Sequence, residues 1–291
     1  MSTVPRAMTG RVCVVTGATA GIGKETALGL ARMGATVVVV ARDPDKAVRI
    51  VDEISRVADN SNVEWVRGDF ASLDSVRAAA AEIAKRHGAI HVLVNNAGVA
   101  NRHRTLSADG YELTFAVNHL APFLLTRELL PLLRAGAPSR IITVASAAER
   151  QGPIDFEDLQ SEKRYRGFLA YGKTKLMNVL FTYELAARLS GSGVTANCLH
   201  PGAVATDMLR QLPKWLYALI SPFLITPAQG AATTIFLASS PAVEGVSSSY
   251  YEKGKAKRSS TRSYDVSARE RLWSVSEALI ESAGAHAASI R

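Results

Sequence analysis

Apolar positions along the chain fall into two alternating patterns. Short runs dense in β-branched residues read as strands, and between them lie longer stretches whose apolar residues recur at helical spacing. The strand runs are Val12 to Thr16, Thr36 to Ala41, Val63 to Arg67, Val92 to Asn95, Arg140 to Ala145, Val194 to Leu199, and a last one near Ser248 to Tyr251. The helical stretches extend from about Ile22 to Met33, Asp45 to Ala58, Leu73 to His87, Gly110 to Leu133, Phe168 to Ser190 and Pro227 to Ala238. Gly34, Gly88, and Gly191 or Gly193 follow the ends of helical patterns, where a left-handed residue closes the last turn without steric cost. Strand runs that are apolar throughout belong to a parallel sheet covered on both faces. The pattern therefore predicts an α/β fold: one doubly wound domain over residues 1–252, with a seven-stranded parallel sheet and helices on both faces. Residues 253–291 form a C-terminal tail in which Arg271-Leu272-Trp273 and Leu279 predict one more docked helix.

Two connections are longer than the rest, Ala147 to Gly167 and Gly202 to Thr226. Both leave a strand at its carboxyl end, where open α/β sheets bind ligands. Composition narrows the class further. In 291 residues, 47% are apolar and 21% charged, a balance that excludes disorder. The longest apolar stretch, Trp215 to Ile220, falls short of the roughly 18 residues that cross a bilayer, so no transmembrane segment is predicted and any membrane contact is expected to be peripheral. Met1 to Thr9 lacks an apolar segment, so neither a signal peptide nor an anchor is expected. Cys13 and Cys198 lie in strand runs and read as small core residues in a reducing, cytoplasmic setting. The net charge of +8 raises nucleic acid as a partner. The densest cluster, Lys253, Lys255, Lys257, Arg258 and Arg262, has no interleaved aromatics, which favours a solvated loop and no nucleic-acid partner.

The first strand runs into Thr16-Gly17-Ala18-Thr19-Ala20-Gly21-Ile22-Gly23 and then into a helix. Small residues let the backbone approach a ligand closely, and the helix N-terminus offers N–H donors and a positive dipole end to a pyrophosphate. Gly17, Thr19, Gly21, Ile22 and Gly23 are thus the first cofactor-binding candidates, in a Rossmann-type setting. The second strand ends in Val40-Ala41-Arg42-Asp43. A fold that selects NAD places a carboxylate at this terminus for the ribose hydroxyls, whereas a 2′-phosphate calls for a cation. Ala41 stands where the acid is expected, and the planar fork of Arg42 suits phosphate, so NADP is favoured; Asp43 keeps NAD open.

Tyr171 and Lys175 lie one helical turn apart on one face. A tyrosine near pKa 10 is a poor base at neutral pH, and an adjacent ammonium is expected to lower that value. So tuned, it protonates an alkoxide formed from a carbonyl while Ser146, after the fifth strand, hydrogen-bonds the same oxygen. Tyr251 and Lys255 repeat the interval in what reads as a loop after the last strand, and receive no role. The six histidines, His87, His91, His103, His119, His200 and His286, show no metal-ligand spacing, so no metal is expected. His200 precedes Pro201 at a strand end and is placed at the border of the pocket.

The spacing Gly17-x-x-x-Gly21-x-Gly23, Asn95-Asn96-Ala97-Gly98 after the fourth strand, Asn118, Ser146, the Tyr171 and Lys175 pair, and Pro201-Gly202 followed by Thr206 occur in an order that resembles the short-chain dehydrogenase/reductase family over nearly the whole chain. Asp158 to Tyr165, Lys175 to Phe181 and Arg271-Leu272-Trp273 are similar to the retinol dehydrogenase-like branch. The resemblance implies Asn118, Ser146, Tyr171 and Lys175 as the catalytic set, with Asn118 supporting a proton relay through water. It gives Lys175 the nicotinamide ribose, Asp69 the adenine amine and Thr206 the carboxamide, with Asn96, Gly98 and Pro201 along the cofactor path and Asn95 structural. It implies an NADP-dependent alcohol dehydrogenase or carbonyl reductase for a bulky lipophilic aldehyde, ketone or alcohol, and a homodimer paired through the helices at Gly110 to Leu133 and Phe168 to Ser190. Val204, Met208, Leu209, Leu212, Trp215, Leu216 and Tyr217 read either as an apolar flap or as a helix covering the core. The alternatives are a cofactor-binding regulatory protein with little turnover and a basic surface-binding protein.

Overall fold

Runs such as Thr36–Ala41, in which every residue after the first is buried, can be satisfied only between two layers of helices. The computed structural model describes residues 6–203 and 224–289. Its strands are β1 (Val12–Thr16), β2 (Thr36–Ala41), β3 (Val63–Arg67), β4 (Val92–Asn95), β5 (Ser139–Val144), β6 (Val194–His200), β7 (Tyr250–Glu252) and β8 (Lys255–Lys257). They form one eight-stranded sheet in the order β3-β2-β1-β4-β5-β6-β7-β8. The first seven are parallel, and β8 returns antiparallel to β7 with Tyr250 opposite Lys257. The expected seven-stranded, wholly parallel sheet is corrected by that strand. Lys253 and Gly254 take φ of 51° and 70° and reverse the chain, so a lysine-rich stretch expected to be a loop closes as a hairpin. Tyr251 and Lys255 consequently sit on neighbouring strands.

The helices are α1 (Gly21–Arg32), α2 (Pro44–Ala58), α3 (Leu73–Arg86), α4 (Leu113–Phe115), α5 (Ala121–Ala135), α6 (Gly167–Arg188), α7 (Pro227–Ser239) and α8 (Val266–Ser289). Strand side chains alternate between two cores. Cys13, Val15, Val37 and Val39 pack with α1, α2 and α7, while Val14, Val38, Leu93 and Ile141 pack with α3, α5, α6 and α8. The helix expected from Gly110 starts at Leu113, because the Glu112 carboxylate accepts the N–H groups of Thr114 and Phe115 at 2.9 and 2.8 Å. A π-turn, Ala116–Leu120, then links α4 to α5. Gly34, Gly191 and Gly193 take the left-handed conformation expected after helices. Gly88 does not, since α3 closes on His87 in extended conformation.

The C-terminal helix α8 lies against α5 and α6. Leu272 and Ile280 are buried, and Trp273 stacks on Phe181 at 6.0 Å and meets Phe123 edge-on at 4.8 Å. His119 joins this cluster through a 2.8 Å hydrogen bond between Nε2 and the Ser276 hydroxyl. The helices that the sequence offers to a second copy thus carry the chain's own last helix. Sheet order reverses between β1 and β4, which opens a crevice at their carboxyl ends.

Candidate active site

At that crevice the end of β1 is latched to the end of β4. The Thr16 hydroxyl accepts the N–H groups of Asn96 and Ala97 at 2.9 and 3.0 Å and donates to the Val94 carbonyl at 3.2 Å. Asn96 Nδ2 returns to the carbonyls of Thr16 at 2.8 Å and Gly17 at 3.3 Å. Asn96 therefore lines the cleft and also braces the glycine turn, whereas Asn95 is buried and donates to Thr126 at 3.0 Å. The turn is compact: Gly17 has φ of 65°, and a Cβ there would stand 2.8 Å from the Ala97 Cα. The turn delivers α1 with no side-chain cap on its N-terminus and no acidic residue in its first turn. Its backbone donors and positive dipole end stay open to an anion, so the donor set fits a dinucleotide pyrophosphate.

A cavity of about 1250 Å³ runs along the carboxyl ends of the strands. Every cofactor residue proposed from the sequence and described in the structure lines it, from Arg42 and Asp69 at one end, past Gly17, Thr19, Gly21, Ile22 and Gly23, to Gly98 and Pro201 at the other. Thr206 and the proposed flap from Val204 to Tyr217 lie outside the described residues. At the first end, Asp43 turns away to cap α2. Its carboxylate accepts the Lys46 N–H at 3.1 Å, which holds its pKa below the usual value. Asp69 is not the cap of α3, a task that Ser72 performs; its Oδ1 accepts the Ala71 N–H at 3.0 Å.

At the other end stand Ser146, just beyond β5, and Tyr171 and Lys175 on the first turns of α6. Ser146 and Tyr171 line the same stretch of the cavity, with the serine hydroxyl near enough to lower the tyrosine pKa. The Lys175 ammonium donates to the Val144 carbonyl at 2.9 Å and lies 5.5 Å from the centre of the Tyr171 ring. Burial depresses Lys175 to about 8. Burial also raises Tyr171, with the nearby Ser146 hydroxyl pulling it down by less. The downward shift expected from the neighbouring ammonium is not found in this arrangement: burial dominates, and the phenol keeps its proton at neutral pH. His200 borders the cavity, and burial holds it neutral.

Asn118 sits behind this pair on the π-turn, fully buried, where a helix irregularity aims its amide across the crevice. Its Oδ1 accepts the Val99 N–H at 2.8 Å, and its Nδ2 donates to the Val99 carbonyl at 2.9 Å and to the Thr174 hydroxyl at 3.0 Å. A Cβ on Gly98 would lie 3.4 Å from Asn118 Oδ1 and 3.5 Å from Lys175 Nζ, so the glycine admits a ligand edge beside both. Two positioning hydroxyls escaped the sequence reading. Thr16 and Thr174 were given no role from the sequence, and only the fold shows one clamping the glycine turn and the other joining Asn118 to the Tyr171 carbonyl at 2.8 Å. Of the histidines, His87 pairs with the Glu64 carboxylate away from the cavity, and no metal-ligand cluster occurs among the described residues.

A doubly wound sheet, an uncapped helix behind a glycine turn, and a Ser, Tyr and Lys set at one end of the cleft define a nucleotide-dependent oxidoreductase. The family model for short chain dehydrogenases matches residues 11–216, and the chain belongs to that family. Within it the chain is retinol dehydrogenase-like. It is 41% identical to mouse retinol dehydrogenase 14 over 95% of this chain and 87% of that protein. Among solved structures, an uncharacterized protein from Mycobacterium paratuberculosis is 33% identical with a TM-score of 0.77, covering 94% of both chains. A structure described as an NAD(P)-dependent gluconate 5-dehydrogenase from Beutenbergia cavernae, with NADP bound at low occupancy, is 31% identical with a TM-score of 0.71, covering 86% of this chain and 97% of that one.

Proposed function

We propose that the protein is an NADP-dependent alcohol dehydrogenase or carbonyl reductase for a bulky lipophilic substrate. The observation that carries this reading is the meeting of Ser146, Tyr171 and Lys175 at one end of a cavity whose other end presents Arg42. When bound, the nicotinamide supplies a hydride to the carbonyl carbon or accepts one from the alcohol. The chain's residues manage the proton. Tyr171, kept protonated by burial, gives its proton to the carbonyl oxygen as charge develops there, and the Ser146 hydroxyl donates to the same oxygen. Lys175, fixed by the Val144 carbonyl, faces the ring and stabilises the phenolate left behind. Asn118 holds the Gly98-Val99 backbone so that the ligand path stays open beside Lys175.

Arg42 supports NADP because it lines the cleft while Asp43, the rival acid, is committed to α2. The NADP in the Beutenbergia relative points the same way. Phe168 at the lip of the cavity, 59% exposed, supports a lipophilic substrate, as does similarity to retinol dehydrogenases. The buried free thiols of Cys13 and Cys198 suit the cytoplasm, and no described helix is long and apolar enough to cross a membrane. Trp273 of α8 covers part of α5 and α6, so pairing through those helices would have to accommodate α8.

A panel of lipophilic aldehydes, ketones and alcohols, followed by NADPH absorbance, finds the substrate. Tyr171→Phe is then expected to lower kcat about a hundredfold or more while NADPH still binds. Retained turnover by that variant would reject the assignment. Arg42→Ala is expected to raise KM for NADPH about tenfold and to leave KM for NADH unchanged, since it removes a charge-assisted contact to a group NADH lacks. Equal effects on the two would remove the case for NADP.

A further inference from the structure

The Glu149 side chain is fully buried, and the hydride chemistry makes no use of it. It belongs to the 3₁₀ turn Ala147–Arg150, which Ser146 opens as N-cap by accepting the Ala148 N–H at 3.2 Å. A buried carboxylate is costly unless donors meet it. Here Oε1 accepts the Ser260 N–H at 2.9 Å and lies 3.6 Å from Arg150 Nε, while Oε2 has no hydrogen-bond partner among the described residues. Ser260 is its one backbone donor among the described residues, so departure of the segment around Ser260 would leave the carboxylate with the Arg150 ion pair alone.

That segment also grips the turn through Arg150, whose Nη2 donates to the Arg258 carbonyl at 2.8 Å and whose own carbonyl accepts Arg262 Nη1 at 3.3 Å. On its other side it grips α6. The Tyr183 and Ser259 hydroxyls are 2.7 Å apart, Ser259 and Ser263 are again 2.7 Å apart, and Ser263 donates to the Ser260 carbonyl at 2.7 Å. Turn and helix are already in close contact: a Cβ on Gly172 would stand 2.7 Å from the Ala148 carbonyl oxygen. The serine segment ties the two together by holding both.

We propose that Glu149 and the Ser259–Ser263 segment form a brace that sets Ser146 against Tyr171, with Glu149 a positioning residue of the reaction. This rests on the reading of Ser146 and Tyr171 as reacting groups. The test is a double-mutant cycle in the full chain with Glu149→Ala, Glu149→Gln and Ser146→Ala, reading kcat, KM and NADPH binding by fluorescence. Glu149→Ala is expected to lower kcat about tenfold or more through misplacement of the serine, with NADPH affinity kept within about twofold. Glu149→Gln, whose amide oxygen still accepts the Ser260 N–H, should restore most of kcat. In the Ser146→Ala background, Glu149→Ala should add almost nothing. A loss of equal size in both backgrounds, or no loss for Glu149→Ala, would overturn the brace. Should Glu149→Ala fail to fold, Ser259→Ala enters the same cycle and is held to the same outcomes. If Ser146→Ala itself leaves kcat unchanged, the function reading falls, whereas an effect of Ser146→Ala with none of Glu149→Ala or Ser259→Ala removes the brace alone.

Discussion

A single added methyl at Gly23 would stand 2.4 Å from the Gly17 carbonyl oxygen and 2.5 Å from Asn96 Nδ2. Both neighbours belong to the cradle that the open end of α1 presents, so the cradle must widen to admit it. Gly23→Ala is therefore expected to weaken NADPH binding about tenfold or more in a direct titration, with kcat at saturating cofactor little changed. Unaltered affinity would show that the cradle is softer than its packing implies. That these glycines, Arg42, Ser146, Tyr171 and Lys175 gather at one cleft was legible in the sequence, because the proposed chemistry demands particular residue types at a fixed spacing. Thr16 and Thr174 were not, since a threonine in a strand or helix says nothing about what its hydroxyl reaches until the elements are assembled. The balance on Tyr171 was also hidden: the motif shows the ammonium, but only the packed site shows how much water has been removed.

Among elements, α8 shows how far a docked helix can matter without touching the chemistry. Leu272 is 1% exposed and belongs to the core shared by α3, α5 and α6, yet it does not line the cavity. Leu272→Ala is expected to cost about 2–5 kcal/mol in urea denaturation while kcat/KM stays near the parent value. A fall in kcat/KM at a temperature where the variant is fully folded would mean that α8 reaches the site. The strands and long helices could be read because their apolar periods are strong. The β7–β8 hairpin could not, for Glu252-Lys253-Gly254-Lys255 carries no apolar pattern and its pairing is decided by backbone reversal. The π-turn escaped for a related reason, because Ala116–Leu120 has the composition of an ordinary helix and its extra residue is visible only in space.

Taken whole, the molecule holds a histidine where protonation is least welcome. Burial among Phe115, Phe123 and Phe181 lowers His119 from 6.5 to about 3. Between those values the unfolded chain binds a proton that the folded chain refuses, so this residue's contribution to stability is lost as pH falls from about 6.5 toward 3. Melting temperatures measured across that window are expected to drop less steeply for His119→Gln than for the parent, and parallel curves would contradict the assignment. The outer margin of the sheet adds a different kind of protection. All three residues of β8 are exposed, with Lys255 and Lys257 at its ends. So short a ribbon, charged at both ends, offers a second copy little backbone to template on and repels it as it approaches. Part of the basic surplus thus falls on the outer edge of the sheet, where like charges disfavour edge-to-edge pairing.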